Sequence, residues 1–223
     1  MKVIKPEKQV VSKERVADHG EVYTAQREVK AMLDLVKQET ERIDSRFLEP
    51  ACGTGNFLAE VLSRKLNIVE NRYGKSQLEY ERYSVLAVSS IYGIDILEDN
   101  VIECQKRLLD IFNERYNTLY KEAVNEECKK AIKYILEKNI IWGDALSLAT
   151  VGENPKPIVF TEWSLASGSM IKRRDVTFGA LLGHSHTIKE WTFSDLGKQE
   201  YSPKYIQEYP LVHFMKITNV EKQ

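Results

Sequence analysis

The chain has 223 residues, enough to bury a sizeable core in one domain or two small ones. Its composition, 43% hydrophobic and 29% charged, is that of a soluble globular protein, and a net charge of −1 gives no bulk electrostatic reason to bind nucleic acid, so any basic surface is local. Cys52, Cys104 and Cys128 are widely spaced and odd in number, which argues against a disulfide framework and for the reducing cytoplasm, and no apolar run reaches the roughly 18 residues of a membrane span.

Residues 1–20 are polar and read as an irregular arm without a signal-peptide apolar segment. In TAQREVKAMLDLVKQE, Val29, Met32, Leu33 and Val36 recur at helical spacing. A short strand, RFLEPA, then runs into a turn holding Gly53 and Gly55, and Phe57, Leu58, Val61 and Leu62 mark a helix leaving it. SQLEYERYSVLAVSS reads as a helix feeding IYGID, a buried strand. The next helix carries Leu97, Val101, Cys104, Leu108 and Phe112 on one face, and a further helical stretch covers about 119–138. NIIWGDA and KPIVFTEW read as strands. Beyond Ser164 the pattern weakens to two strand-like segments, IKEWTF and PLVHFMKI, between polar loops.

Strands alternating with helices imply a parallel α/β sheet, in which ligands gather at the carboxyl ends of the strands. That singles out Glu49 to Phe57, Asp95, Asp144 and whatever follows Phe160. A strand, Gly-x-Gly and a helix can form a dinucleotide site, but that fingerprint wants a third small residue and an acid about 20 residues on. Here Phe57 and Leu58 fill the third-glycine region, and Asp95 lies about 40 residues beyond Gly55. A carboxylate at Glu49 repels a pyrophosphate and attracts a cation. The ligand expected is therefore cationic near the strand, carries a carboxylate for the helix N-terminus, and offers a ribose diol to a second acid. S-adenosylmethionine meets these demands.

LEPACGTGNFL resembles the cofactor motif of the adenine-N6 DNA methyltransferases of bacterial restriction–modification systems. HGEVYTAQREVKAMLDLV is similar to that family's N-terminal cofactor motif, with Ala25 where the family usually has Pro. IYGIDI and IIWGDAL match two further cofactor strands, and the four motifs stand in the family's order over about residues 19–148. The resemblance implies a Rossmann-like class I methyltransferase sheet, mostly parallel, with an antiparallel C-terminal edge. It implies that Thr24, Glu49, Ala51, Gly53 and Gly55 hold the methionine part of S-adenosylmethionine. It further implies that Asp95 accepts from the ribose, Ile96 packs on the adenine, Asp144 accepts from the adenine amine beside Ala145, and Tyr23 lines the pocket. The sheet expected is seven-stranded, with FLEPA central between IYGID and PIVF, and with IKEWTF and PLVHFMKI closing one edge as an antiparallel pair.

The family activates its target amine with an Asn (or Asp)-Pro-Pro-aromatic motif after the fourth strand, whose aromatic ring stacks on the flipped base. The sequence holds no such motif; TEWS, Thr161 to Ser164, follows PIVF. Glu162 and Trp163 are either stand-ins for the missing acceptors and ring, or a surface acid and a core tryptophan. In MIKRRD, Lys172, Arg173 and Arg174 either contact DNA phosphates or form a solvated loop. His184 and His186 lack a third ligand nearby, so no metal is expected. About 60 residues follow the fourth strand, which suggests a single domain over 21–223 without a separate target-recognition domain. Three functions remain open: an adenine-N6 DNA methyltransferase, a non-catalytic cofactor-binding subunit of a DNA-modification complex working with a partner chain, and a methyltransferase of another substrate.

Overall fold

The structure, a computed structural model, describes residues 15, 24–183, 191–193, 199–201 and 204–222. Tyr23, His184, His186 and all of the N-terminal arm except Arg15 lie outside the described residues.

Helix α1 (Gln26–Asp34) buries Val29 and Leu33, while Met32 remains exposed. The expected helix ends early. Leu35 and Val36 form a turn before the short α2 (Lys37–Thr40), so Val36 falls outside the buried stripe. Strand β1 (Phe47–Glu49), α3 (Asn56–Tyr73), α4 (Gln77–Ser89), β2 (Ile91–Asp95), α5 (Glu98–Tyr120), α6 (Glu126–Asn139) and β3 (Ile140–Asp144) follow in the expected alternation. The helix expected over 119–138 is split. α5 runs to Tyr120, a 3-10 turn takes Lys121–Ala123, and Asn125 caps α6 by accepting from the Glu127 amide.

β1, β2 and β3 pair in parallel, and the two-residue β4 (Ala149–Thr150) adds an antiparallel edge on β3. This helix-backed parallel core is Rossmann-like. Alternation along β2 serves two layers. Ile91 faces a core shared with Leu58, Leu62, Leu108 and Ile132, whereas Tyr92 and Ile94 pack with Ile158, Phe160 and Val176. The second layer is a hairpin of β5 (Val159–Leu165) and β6 (Met170–Thr177), followed by the short α7 (Phe178–Leu181). After β7 (Trp191–Phe193) and β8 (Gln199–Tyr201), which pair with each other, β9 (Gln207–Glu208) and β10 (Val212–His213) add to β6. The chain then turns through two 3-10 pieces between Phe214 and Lys222, kinked at Lys216, burying Phe214 and Ile217 against the helical core.

Three expectations about the sheet are corrected. FLEPA is not central: among the described residues β1 pairs with β2 alone and forms the sheet edge. PIVF instead enters a long antiparallel ladder, from Val159 opposite Thr177 to Leu165 opposite Ile171, which offers far more main-chain pairing than a three-residue strand. MIKRRD is a strand, not a loop. Among the described residues IKEWTF and PLVHFMKI do not pair; Trp191–Phe193 pairs with β8, and Val212–His213 with β6.

The loop entering β1 is fastened from α3. The buried Lys65 donates from Nζ to the carbonyls of Ile43 (3.0 Å), Arg42 (3.2 Å) and Ser45, and to Ser90 Oγ (2.8 Å). No helix among the described residues is long and apolar enough to cross a membrane.

Candidate functional site

β1 ends at Glu49, and the chain turns through Gly53 and Gly55 into α3. Both glycines are in the left-handed region, at φ 51° and 83°, which residues with a side chain disfavour. Gly55 has a second constraint. A Cβ there would come 2.7 Å from Cys104 Sγ on α5, so what crowds this part of the turn is a helix of the protein itself. The turn is drawn tight by the Gly55 amide donating to the Cys52 carbonyl (2.8 Å) and tied to β2 by the Cys52 amide donating to the Ile94 carbonyl (2.9 Å).

The turn walls a cavity of about 620 Å³ at the carboxyl ends of β1, β2 and β3. Thr24, Glu49, Ala51, Gly53, Asp95, Ile96, Asp144 and Ala145 line it together. Gly55 supports the turn from behind, against Cys104, and Tyr23 lies outside the described residues. Met32, Asn56, Asn100 and Leu146 also line the cavity and were assigned no cofactor contact from sequence, although Asn56 falls within the Glu49–Phe57 stretch. Two of these had a usable signal: Asn56 opens the helix after the glycines, and Asn100 follows Asp95 in the first turn of α5.

Asp95 is almost fully enclosed. Its Oδ2 accepts from the Gly53 amide (2.7 Å), and its Oδ1 from the Leu97 amide (2.9 Å) and Asn100 Nδ2 (3.2 Å). These contacts use three of the roughly four acceptor positions of a carboxylate and leave about one for a ligand. Asn56 Nδ2 donates to the Thr24 carbonyl (3.2 Å), while its Oδ1 accepts from Arg107, which also reaches the Thr54 carbonyl (3.4 Å). The start of α3 has no side-chain cap, so its first amides present partial positive charge where Asn56 and Phe57 meet the cavity.

The carboxylates differ in character. Burial pushes Glu49 above the usual carboxylate range, with the Ala51 amide partly opposing it. The Leu146 amide, with Ser147, holds Asp144 below its ordinary value; Leu146 N donates to Asp144 Oδ1 at 2.9 Å. Between Asp95 and Asp144 the rim is apolar: Ile96 is 49% exposed and Leu146 95%. Trp142 fixes the Ile96 backbone by donating from Nε1 to its carbonyl at 3.0 Å. The arrangement offers an acid beside the turn, an electropositive helix start, a second acid, an apolar platform and a third acid, in that order.

Glu162 and Trp163 are not on this cavity. Trp163 is 4% exposed, meets the Tyr134 ring edge-on at 6.2 Å, and donates to Asn139 Oδ1 at 3.3 Å. Glu162 lines a separate cavity of about 140 Å³ beside Arg46, Leu48, Tyr92 and Phe160. It accepts from Tyr205 (2.7 Å), Arg174 (2.8 Å) and Arg46. Burial pushes Glu162 up, but the Tyr205 hydrogen bond and the two guanidinium charges outweigh it and hold the carboxyl below its usual value. Arg173 is buried, bonded to Asp175 (3.1 Å) with its guanidinium 4.0 Å from the Tyr209 ring centre, and Lys172 pairs with Glu208 at 2.6 Å. The three cations of MIKRRD therefore all engage the protein's own carboxylates. No group of three or more His, Cys, Asp or Glu side chains among the described residues is placed to hold a metal.

A family model described as MmeI, DNA-methyltransferase domain, matches residues 23–154, more than half of the chain. The matched span contains every described residue lining the larger cavity and stops before β5. No curated protein and no solved structure matches the chain.

Proposed function

The chain belongs to the MmeI DNA-methyltransferase domain family, and on that premise we propose that it binds S-adenosylmethionine in the larger cavity and serves methylation of adenine N6 in DNA within a restriction–modification system. One observation carries the cofactor reading: Glu49, Asp95, Asp144 and the uncapped start of α3 converge on a single cavity. The residues fit the group. Glu49 offsets a sulfonium charge, the α3 amides and the Thr24 segment receive the amino-acid end, and the remaining acceptor position of Asp95 takes a ribose hydroxyl. Ile96 supports the adenine ring, and Asp144 accepts from its amine. When bound, the cofactor supplies an electrophilic methyl group. The chain's part is to hold that methyl in a fixed place, which turns an encounter into an oriented reaction.

Trp163 favours a second reading, in which this chain is the cofactor-binding subunit. Its ring is enclosed against Tyr134 and Asn139 rather than available to stack on a base, and Glu162 is already held by two arginines and a tyrosine. In this reading a partner chain supplies the amine acceptors and much of the DNA contact. We also infer a single domain over 21–223, supported by one hydrophobic cluster that runs from Val29 to Ile217. We further infer a reducing cytoplasmic setting from the small, odd number of cysteines.

Calorimetry with S-adenosylmethionine tests the first step, and labelled cofactor with unmodified genomic DNA tests the second. Binding together with methyladenine supports the methyltransferase reading. Binding without transfer supports the subunit reading. No binding at millimolar cofactor overturns both.

A further inference from the structure

We propose that Arg15, from the N-terminal arm, is a positioning residue for the cofactor's ribose, acting through Asn100 on Asp95; this rests on the cofactor reading above. Arg15 is separated from Asp95 by 80 positions in sequence, and nothing in its polar surroundings marks it. In the fold its guanidinium forks onto the start of α5. Nη1 pairs with Asp99 Oδ2, and Nη2 donates to Asp99 Oδ1 (3.3 Å) and to Asn100 Oδ1 (3.2 Å). The side chain of Arg15 is only 25% exposed, so the pair is partly screened from water.

The Asn100 amide has two ends, and the structure gives each a job. Its oxygen accepts from Arg15, and its nitrogen donates to Asp95 Oδ1 at 3.2 Å. Reversing the amide would point an oxygen at the Asp95 carboxylate and an NH₂ at a guanidinium, acceptor to acceptor and donor to donor. Arg15 thus fixes which way Asn100 faces. Only in that orientation does Asn100 donate to Asp95. Asn100 lines the cavity beside Asp95, so the relay ends where the ribose is expected. A lysine would not serve equally, because a point ammonium lacks the rigid fork that meets a carboxylate and an amide oxygen together. The pairing also holds Asp99 below its usual carboxylate value, first through the Arg15 hydrogen bond.

The relay predicts a loss confined to ligands that use the ribose hydroxyls. The test measures, by calorimetry, binding of S-adenosylhomocysteine and of its 2′,3′-dideoxyribose analogue to the wild-type chain and to Arg15→Met. Circular dichroism and thermal melting confirm that the variant is folded. The expected result is roughly three- to tenfold weaker binding of S-adenosylhomocysteine by Arg15→Met, the worth of about one hydrogen bond, with the dideoxy analogue unaffected. Equal losses on both ligands would mean a general structural role and overturn the proposal, as would no loss on either. If the wild-type chain binds neither ligand, the cofactor reading itself fails and this inference falls with it. If wild type prefers the ribose-bearing ligand and Arg15→Met keeps that preference undiminished, only the relay is wrong.

Discussion

The Asp95 carboxylate accepts a 2.7 Å hydrogen bond from the Gly53 amide, joining the end of β2 to the glycine turn after β1. One side chain therefore shapes the turn and faces the cavity. Asp95→Ala should weaken S-adenosylmethionine binding about 5- to 150-fold, as expected for loss of a charged hydrogen bond worth about 1–3 kcal/mol. It should also lower the melting temperature without ligand, because the Gly53, Leu97 and Asn100 donors lose their acceptor. Calorimetry and thermal melting separate the two effects. A weaker ligand with an unchanged melting temperature would show that Asp95 does not hold the turn.

Gly55 makes a second test of the turn. Gly55→Ala meets both the left-handed backbone, at about 1–2 kcal/mol, and the Cys104 thiol, where overpacking typically costs about 1–3 kcal/mol. Adding Cys104→Ala should recover the second part and not the first. A denaturant double-mutant cycle reads the coupling, and strict additivity would show that the two side chains do not meet.

Glu49 gives binding a pH signature. Its carboxyl lies above the usual range through burial. As pH falls, Glu49 takes up a proton earlier than an ordinary glutamate and ceases to offset a sulfonium. Affinity for S-adenosylmethionine should therefore drop on acidification more than affinity for S-adenosylhomocysteine, which lacks the positive sulfur. Parallel titrations of the two ligands, repeated with Glu49→Gln, check this. Identical pH profiles for both ligands in the wild-type chain would remove Glu49 from the sulfonium site.

Lys65 links stability to pH. Burial pulls its ammonium from 10.5 to about 7. The unfolded chain then holds a proton that the folded chain has released between about pH 7 and 10.5, so this residue's contribution to stability rises with pH across that window and is lowest below it. Lys65→Met should flatten the rise in urea-unfolding free energy over the same range. A slope unchanged by the substitution would place the Lys65 titration elsewhere.

Methyl transfer by the purified chain alone should be slow or undetectable on duplex and single-stranded DNA, because Trp163 is enclosed and Glu162 is already ion-paired. Preorganised acceptors at a reacting group are typically worth 10²–10³ in rate, about 2.7–4 kcal/mol. Turnover on the order of 1 s⁻¹ would contradict this. Trp163→Ala should cost about 3–5 kcal/mol of stability, as expected for an emptied core site.

The cavity was legible because each of its acids ends a strand in a periodic α/β pattern. The strand pattern alone places Glu49, Asp95 and Asp144 together. The partners of those acids were less visible. Asn100, which bonds Asp95, and Arg107, which bonds Asn56 beside the turn, both lie on α5, whose apolar face dominates its pattern, and their polar contacts depend on how α5 rotates against the turn. The second sheet was misread for a different reason. MIKRRD carries three adjacent charges, which in isolation suggest a solvated loop, yet each finds a carboxylate partner: Glu208 for Lys172, Asp175 for Arg173 and Glu162 for Arg174. Two of these pairings, to Glu208 on β9 and to Glu162 on β5, join different strands and so are tertiary properties. The β5–β6 ladder that Arg174 and Glu162 bridge takes PIVF away from β1 and leaves its edge open.

That edge bears on how the protein behaves in concentrated solution. An exposed strand is a template on which other chains can polymerise, and proteins commonly blunt it by brevity and charge. β1 spans only Phe47–Glu49, with Arg46 immediately before it and Glu49 at its end. Leu48, 40% exposed, is the one residue whose main-chain groups point away from β2. A neighbouring molecule gains too few bonds there to begin a fibre. Among the described residues, the strand that leads into the glycine turn is thus an edge too short and too charged to invite copies of the protein to stack on it.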